Sequence, residues 1–304
     1  MRHGIERGWL KANPDIELPL LVARGSADGP TLSITAGVHG DEYEGVRAIF
    51  EFFAELDTGD LRGQIRAVPV VNPPAHWAVQ RTSPIDGANL ARVFPGDPHG
   101  TVSERIAHLL TTEIIAPASF YLDLHSGGVR YAMPSMAGYA SADPRARAAA
   151  AIFGAPVIWG HPHIDPGRTV SEAHARRIPF LYTEAWGAGR IAAADLRMMK
   201  RGIRNLLCHL DMLPGAPEIP APPRRLSGAG NTDDGIAASL PGFLQLEASL
   251  LDRVQRGQLL GRLLDLHGQA IESYYAPRAG TVALTHEMPI VAKGDTLFLL
   301  ADEE

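Results

Sequence analysis

Between residues 31 and 213 the chain alternates short apolar runs with stretches of helical periodicity, which confines it to a layered α/β architecture. Thr31–Val38 reads as a buried strand. Glu42–Leu56 has helical spacing, with Val46, Ile49, Phe50 and Phe53 expected on one side. Ile65–Val71 is a second strand, and Pro69 within it predicts an edge position or a bulge. Thr101 and Glu104 fit a capping box that opens a helix running to Ile115. Phe120–Leu124 is a third strand, Ala142–Phe153 an alanine-rich helix and Ile178–Thr183 a further strand. Ala193–Leu213 reads as a long helix stopped by Pro214 and Gly215. In sheets of this kind catalytic groups collect at the carboxyl ends of strands.

The character changes after residue 213. Residues 214–223 hold five prolines and read as a stiff linker. Beyond them Gly242–Ala248, Gln258–Leu264 and Thr296–Leu300 are short runs divided by glycine and proline, the pattern of a small all-β module. The expected plan is a main domain over 1–213, the linker, and the module over 224–304.

Composition removes several classes of function. Apolar residues make up 45% and charged residues 20%, which is globular. With 28 basic against 34 acidic residues the formal net charge is −6, so neither nucleic acid nor an anionic membrane is an expected partner. Cys208 is the one cysteine, which excludes an intrachain disulfide and an all-thiolate zinc site. No run approaches the roughly 18 apolar residues of a membrane span, and the first residues lack the apolar stretch of a signal peptide, so the expected location is the cytoplasm. The oligomeric state is left open, a homo-oligomer included. Gly-x-Ser-x-Gly, the phosphate loop, the dinucleotide fingerprint and His-Glu-x-x-His are all missing from the sequence.

What remains is a set of polar residues that directly follow strand-like runs. His39-Gly-Asp-Glu42 places histidine and glutamate three apart, within reach of one ion from a turn. His125 follows the third strand in Asp123-Leu-His-Ser-Gly-Gly128. Each alone has a bland alternative, a capping pair for His39 and Glu42 or a strand-end hydrogen bond for His125. Together they form a His₂Glu set that leaves a fourth zinc position for water, whose pKa then falls to about 7. Asp41 and Glu44 flank the first motif and read either as partners of a ligand histidine or as solvent-facing carboxylates. His161, His163 and Asp165 fit either a second metal set or, as the framing by proline and glycine favours, a loop lining the pocket.

These motifs resemble, in order, those of the succinylglutamate desuccinylase/aspartoacylase family of the zinc carboxypeptidase group. Gly37-Val-His-Gly-Asp-Glu-Tyr-Glu-Gly45 is similar to its first metal motif. Asn72-Pro-Pro-Ala, Arg81 and Asp86-Gly-Ala-Asn-Leu-Ala-Arg-Val-Phe-Pro-Gly96 are similar to its arginine-bearing segment. Asp123–Gly128 is similar to its third-ligand motif, and Thr183-Glu-Ala-Trp-Gly-Ala-Gly189 to its catalytic glutamate motif. The resemblance implies a three-layer αβα domain with a mixed sheet, one Zn²⁺ per chain on His39, Glu42 and His125, Glu184 as general base, and Arg81 polarising the scissile carbonyl. The implied activity is hydrolysis of the amide bond of a small N-acylated amino acid or amine. A carboxylate suits proton relay from water to a leaving nitrogen, and a fixed cation at a developing oxyanion is worth roughly 10²–10³ in rate.

The pair that usually precedes Phe-Pro-Gly in the family is Asn-Arg; here it is Ala91-Arg92. Arg92 can still grip an anion, and Asn89 either supplies the missing amide or only holds the turn. Arg130 and Arg190 are further candidate anion contacts. The C-terminal runs 276–282 and 291–297 resemble halves of the hybrid barrel of biotinyl/lipoyl carriers. The hairpin Thr285–Pro289 lacks the carrier lysine, so the module is expected to shape structure or pocket. A metallocarboxypeptidase and a zinc- or ligand-binding protein without turnover are the alternative readings.

Overall fold

The computed structural model describes residues 4–13 and 16–304. Strands β1 (Gly4–Asn13), β2 (Ile16–Arg24) and β3 (Ala27–Ala36) come first, followed by helix α1 (Glu44–Glu55). Next come β4 (Arg62–Val68), α2 (Pro73–Ala78), α3 (Val102–Leu110) and β5 (Phe120–Leu124). The main region continues with β6 (Tyr131–Ala132), β7 (Met136–Ala140), α4 (Pro144–Phe153), β8 (Val157–His161), α5 (Thr169–Ala175), β9 (Phe180–Glu184) and α6 (Ala193–His209). The C-terminal strands are β10 (Arg224–Ser227), β11 (Ile236–Ala237), β12 (Gly242–Leu246), β13 (Arg253–Val254), β14 (Leu259–Leu264), β15 (Ala270–Tyr275), β16 (Gly280–His286), β17 (Ile290–Val291) and β18 (Thr296–Glu303).

The sheet is mixed, with strand order β1-β2-β4-β3-β5-β9-β7-β8-β10-β18-β16-β13. Its centre is parallel: β4, β3, β5 and β9 run the same way, while β7 opposes β9. Residues along the central strands alternate between two cores. Leu32, Ile34, Phe120, Leu122 and Leu181 face a layer formed by α1, α4 and α6. Tyr121 and Phe180 face the opposite core, with Ile106 and Leu110 of α3 and Val170 of α5. This period of two puts helices on both faces of the sheet. Each such large apolar side chain, fully buried, contributes roughly 1.5–3 kcal/mol.

Thr101 accepts from the Glu104 backbone N–H while Glu104 accepts from that of Thr101, the capping box the sequence predicts. Two local expectations are corrected. β4 stops at Val68 and lies inside the sheet between β2 and β3, so Pro69 falls beyond the ladder instead of marking an edge. Phe50 is exposed, at 52%. α1 packs on both β3 and α6, which turns its buried stripe toward Ala48, Ile49 and Phe52. The N-terminal hairpin β1–β2 and the pair β7–β8 are elements the pattern did not signal.

The C-terminal region is antiparallel within itself, with β15-β14-β12-β17 forming a separate ladder. It is also stitched to the main sheet: β10 runs parallel to β8 and antiparallel to β18, and β16 pairs with β6. Arg224 reinforces the join, its guanidinium meeting Glu303 at 2.8 Å and Thr281 Oγ1 at 2.8 Å. Among the described residues no helix is long and apolar enough to cross a membrane.

Candidate metal centre and substrate cleft

Three parallel strands deliver the polar residues to one end of the sheet. β3 ends at Ala36, and Gly37, at φ +64°, makes the left-handed turn that carries the chain to His39. The Glu42 N–H returns to the His39 carbonyl and closes the two residues into one turn. His125 directly follows β5, and Glu184 is the last residue of β9. A donor atom from each of His39, Glu42 and His125 lies within 4.8 Å of the others.

Glu42 is the hub. Its Oε1 lies 2.6 Å from His39 Nδ1 and 3.3 Å from Arg81, and its Oε2 lies 2.9 Å from His125 Nδ1. Burial opposes its charge, but His39 and His125 outweigh burial and hold the carboxyl far below its usual range. Burial also opposes charge on His125, yet Asp123 and Glu42 raise that imidazole well above normal. His39 goes the other way, lowered by burial and by Arg81.

The outer nitrogens of both histidines are committed elsewhere. His125 Nε2 lies 2.9 Å from Asp123 Oδ2, and buried Asp123 also accepts from Thr35 Oγ1 at 2.6 Å and from Thr169 Oγ1. His39 Nε2 lies 3.2 Å from Asn89 Oδ1, an oxygen held in place by the Ala91 N–H at 2.9 Å. These partners leave Nδ1 of each ring for a metal. A neutral His39 facing Asn89 Oδ1 on one side and Glu42 Oε1 on the other has two acceptors to meet with a single hydrogen. A cation beside Nδ1 resolves that mismatch, and the donor set suits zinc.

Glu184 stands next to this set. Its Oε2 is buried without a hydrogen-bond partner, and burial, followed by the charge of Glu42, pushes its carboxyl up to about 8. Around the centre the surface opens into two small lobes of about 110 and about 100 Å³, which share His39, Arg81, Met133, Glu184 and Thr232. The larger lobe is walled by His161, His163, Asp165, Arg168 and Tyr182. The smaller is walled by Ser126, Gly127, Tyr131, Asp233 and, from the C-terminal strands, Leu284 and Thr296.

Residues 28–210 match the succinylglutamate desuccinylase/aspartoacylase catalytic domain. The chain belongs to this family. It is 33% identical to the N-alpha-acetyl-L-2,4-diaminobutyric acid deacetylase of Halomonas elongata, over 98% of this chain and 92% of that protein. Among solved structures it resembles a succinylglutamate desuccinylase/aspartoacylase from Rhodobacter sphaeroides, at 30% identity and TM-score 0.88, over 100% of this chain and 97% of that one. The product-bound ectoine utilization protein EutE from Ruegeria pomeroyi is similar at 30% identity and TM-score 0.89, over 99% and 96%.

Within this family member, the sequence-derived candidates fall into two groups. His39, Glu42, His125, Glu184 and Arg81 converge on one centre. Arg92 lines the larger lobe, but its Nε and Nη2 hold Asp233, at 3.0 and 2.9 Å, and Nη1 donates to the Ala91 carbonyl. Asn89 caps the short turn Leu90–Arg92 and faces His39. Asp41 and Glu44 bond the backbone N–H groups of Val129 and Gly187, bracing two loops. Arg130 pairs with Asp295, and Arg190 lines a separate surface depression with Trp186 and Met288. Asp123 was in plain view two residues before His125, on the same face of its strand. Arg168 and Tyr182 carried no motif and emerge only from the fold.

Proposed function

We propose that this chain is a zinc-dependent hydrolase that removes the acyl group, acetyl first among candidates, from the nitrogen of a small amino acid, with N-acetylated diamino acids as its substrate class. The observation that carries this is an unpartnered Glu184 carboxyl beside the His39–Glu42–His125 set, at the junction of two lobes each sized for half of a small amide. The activity named for the Halomonas relative supports the acetyl and diamino halves of the reading.

His39, Glu42 and His125 would hold one zinc per chain. When bound, the ion supplies Lewis acidity and makes a water nucleophilic near neutral pH. The chain's own residues account for the rest. Asp123 and Asn89 orient the two imidazoles. Glu184, ionised once a cation occupies the neighbouring site, takes a proton from the attacking water and passes it to the leaving nitrogen, so that a carboxylic acid and an amine are released. Arg81, 33% exposed at the mouth of both lobes, places its fixed charge where the carbonyl oxygen becomes anionic. The smaller lobe, with Tyr131, Met133 and Leu284 on its walls, receives a short uncharged acyl group.

The test is metal content of the purified protein together with hydrolysis of N-acetyl-2,4-diaminobutyrate, N-acetylaspartate and N-succinylglutamate, with and without chelator. A Glu184→Gln variant should keep its zinc and lose about 10²–10⁴ in kcat. Full hydrolysis by that variant removes Glu184 from the mechanism.

A further inference from the structure

The larger lobe contains a histidine that the hydrolytic scheme leaves unused. His161 is the last residue of β8, and its ring lies against Trp159, at 5.2 Å between centroids, and Tyr182, at 5.6 Å. The segment carrying Gly228 and Gly230 closes over it. A Cβ at Gly230 would stand 2.4 Å from His161 Cε1, so the approach requires glycine. His161 Nδ1 lies 2.8 Å from the Gly228 carbonyl oxygen, and Nε2 lies 2.8 Å from the Tyr182 hydroxyl.

These two contacts determine which way the hydrogens point. A carbonyl oxygen only accepts, so Nδ1 carries a hydrogen. Burial pushes this imidazole down to about 4, so near neutral pH the ring has one hydrogen and Nε2 is bare. Tyr182 must therefore donate to Nε2. Burial keeps the phenol protonated by raising its pKa far above the usual value. An ordinary tyrosine hydroxyl turns to give or to take a hydrogen bond; this one can only take a further one. Tyr182 lines the lobe two residues before Glu184, on the same face of β9. Beside it Asp165 and Arg168, paired at 3.0 Å, offer a negative and a positive group to the same space.

We propose that Tyr182, held by His161 as a hydrogen-bond acceptor in the larger lobe, selects substrates whose amine half carries a second, free amino group. This rests on the deacylase reading above. Tyr182 is the specificity residue, and His161 acts through it as a positioning residue. The free ammonium donates to the phenol oxygen, while the Asp165–Arg168 pair matches the opposed charges of an amino acid.

The experiment compares kcat and KM of the zinc-loaded wild type, Tyr182→Phe and His161→Phe on N-acetyl-2,4-diaminobutyrate and on N-acetyl-2-aminobutyrate, which lacks the second amine. A hydrogen bond to a charged group corresponds to about a ten- to hundredfold effect. We expect the ratio of kcat/KM between the two substrates to fall by that factor in Tyr182→Phe, mainly through KM, and to fall less in His161→Phe, where the phenol regains its freedom to donate. Equal losses on both substrates overturn the proposal. Binding of free 2,4-diaminobutyrate and 2-aminobutyrate, measured by calorimetry on the same proteins, separates it from the deacylase reading. If the wild type hydrolyses no N-acyl substrate, that reading fails, and Tyr182 still stands or falls on whether Tyr182→Phe weakens the diamine selectively. Zinc content and melting temperature verify that each variant is folded.

Discussion

Replacing Asp123 by asparagine keeps the side chain's shape, removes its charge and turns one of its two oxygens into a donor. Asp123 is fully buried and spends both oxygens: one on Thr35 at 2.6 Å, the other on His125 Nε2 at 2.9 Å and on Thr169. The amide has two ways to sit. With its nitrogen toward His125, Nε2 must become an acceptor; the ring hydrogen then moves to Nδ1 and closes the nitrogen that faces Glu42. With its oxygen toward His125, the NH₂ meets Thr35, which can accept because its own hydrogen can go to the Tyr121 oxygen 2.5 Å away. That second arrangement preserves the tautomer but loses the carboxylate that makes the imidazole a stronger ligand. Losing such a partner lowers metal affinity about 10–100-fold, which is about 1.4–2.7 kcal/mol. Competition for zinc against a chromophoric chelator measures this directly, with the melting temperature of the metal-free proteins as control. Asp123→Asn binding zinc within twofold of the wild type would refute the assignment of Nδ1 as the ligand atom and Asp123 as its orienting group.

Two further outcomes are expected. In chelator-stripped protein Glu184 stays protonated in the fold up to about 8, whereas unfolded it ionises above the ordinary value of 4.5. The folded state then binds more protons than the unfolded one across that window, so this group's contribution to stability declines as pH rises from about 5 to about 8. Glu184→Gln lacks the decline, and urea midpoints of the two stripped proteins should diverge in its favour with rising pH; parallel curves contradict the buried carboxyl. Gly202 of α6 lets Phe153 of α4 approach: a Cβ there would stand 2.2 Å from the ring. Gly202→Ala alone should cost about 1–3 kcal/mol by overpacking and Phe153→Ala about 3–5 kcal/mol by leaving a cavity, while the double variant should cost less than their sum in the same denaturation assay.

His39, Glu42 and His125 were legible because they follow closely on runs that read as strands, whereas the roles of Glu184 and Arg81 were implied only by the family resemblance. Local periodicity locates β3, β5 and β9, and parallel pairing then brings His39, His125 and Glu184 to one end. Asn89 shows where such reading stops. Its role depends on His39, fifty residues away, and no local pattern encodes that distance. The hairpin β1–β2 was missed because its exposed outer strand lacks an apolar run, with Trp9 itself 63% exposed. The junction of β10 with β8 was missed for another reason: β10 opens the stretch read as a separate all-β module, and a four-residue strand carries no local sign that its partner lies in the main sheet.

That junction separates two kinds of change available to the molecule over evolutionary time. The groups expected to break the bond come from residues 39–184, whereas Leu284 and Thr296, on strands joined through β10, and Thr232, on the short turn after it, wall the smaller lobe. Substitutions in that later stretch can redraw what is admitted while the reacting groups stay as they are. Descendants of one ancestor can thus diverge in diet while sharing a single chemistry.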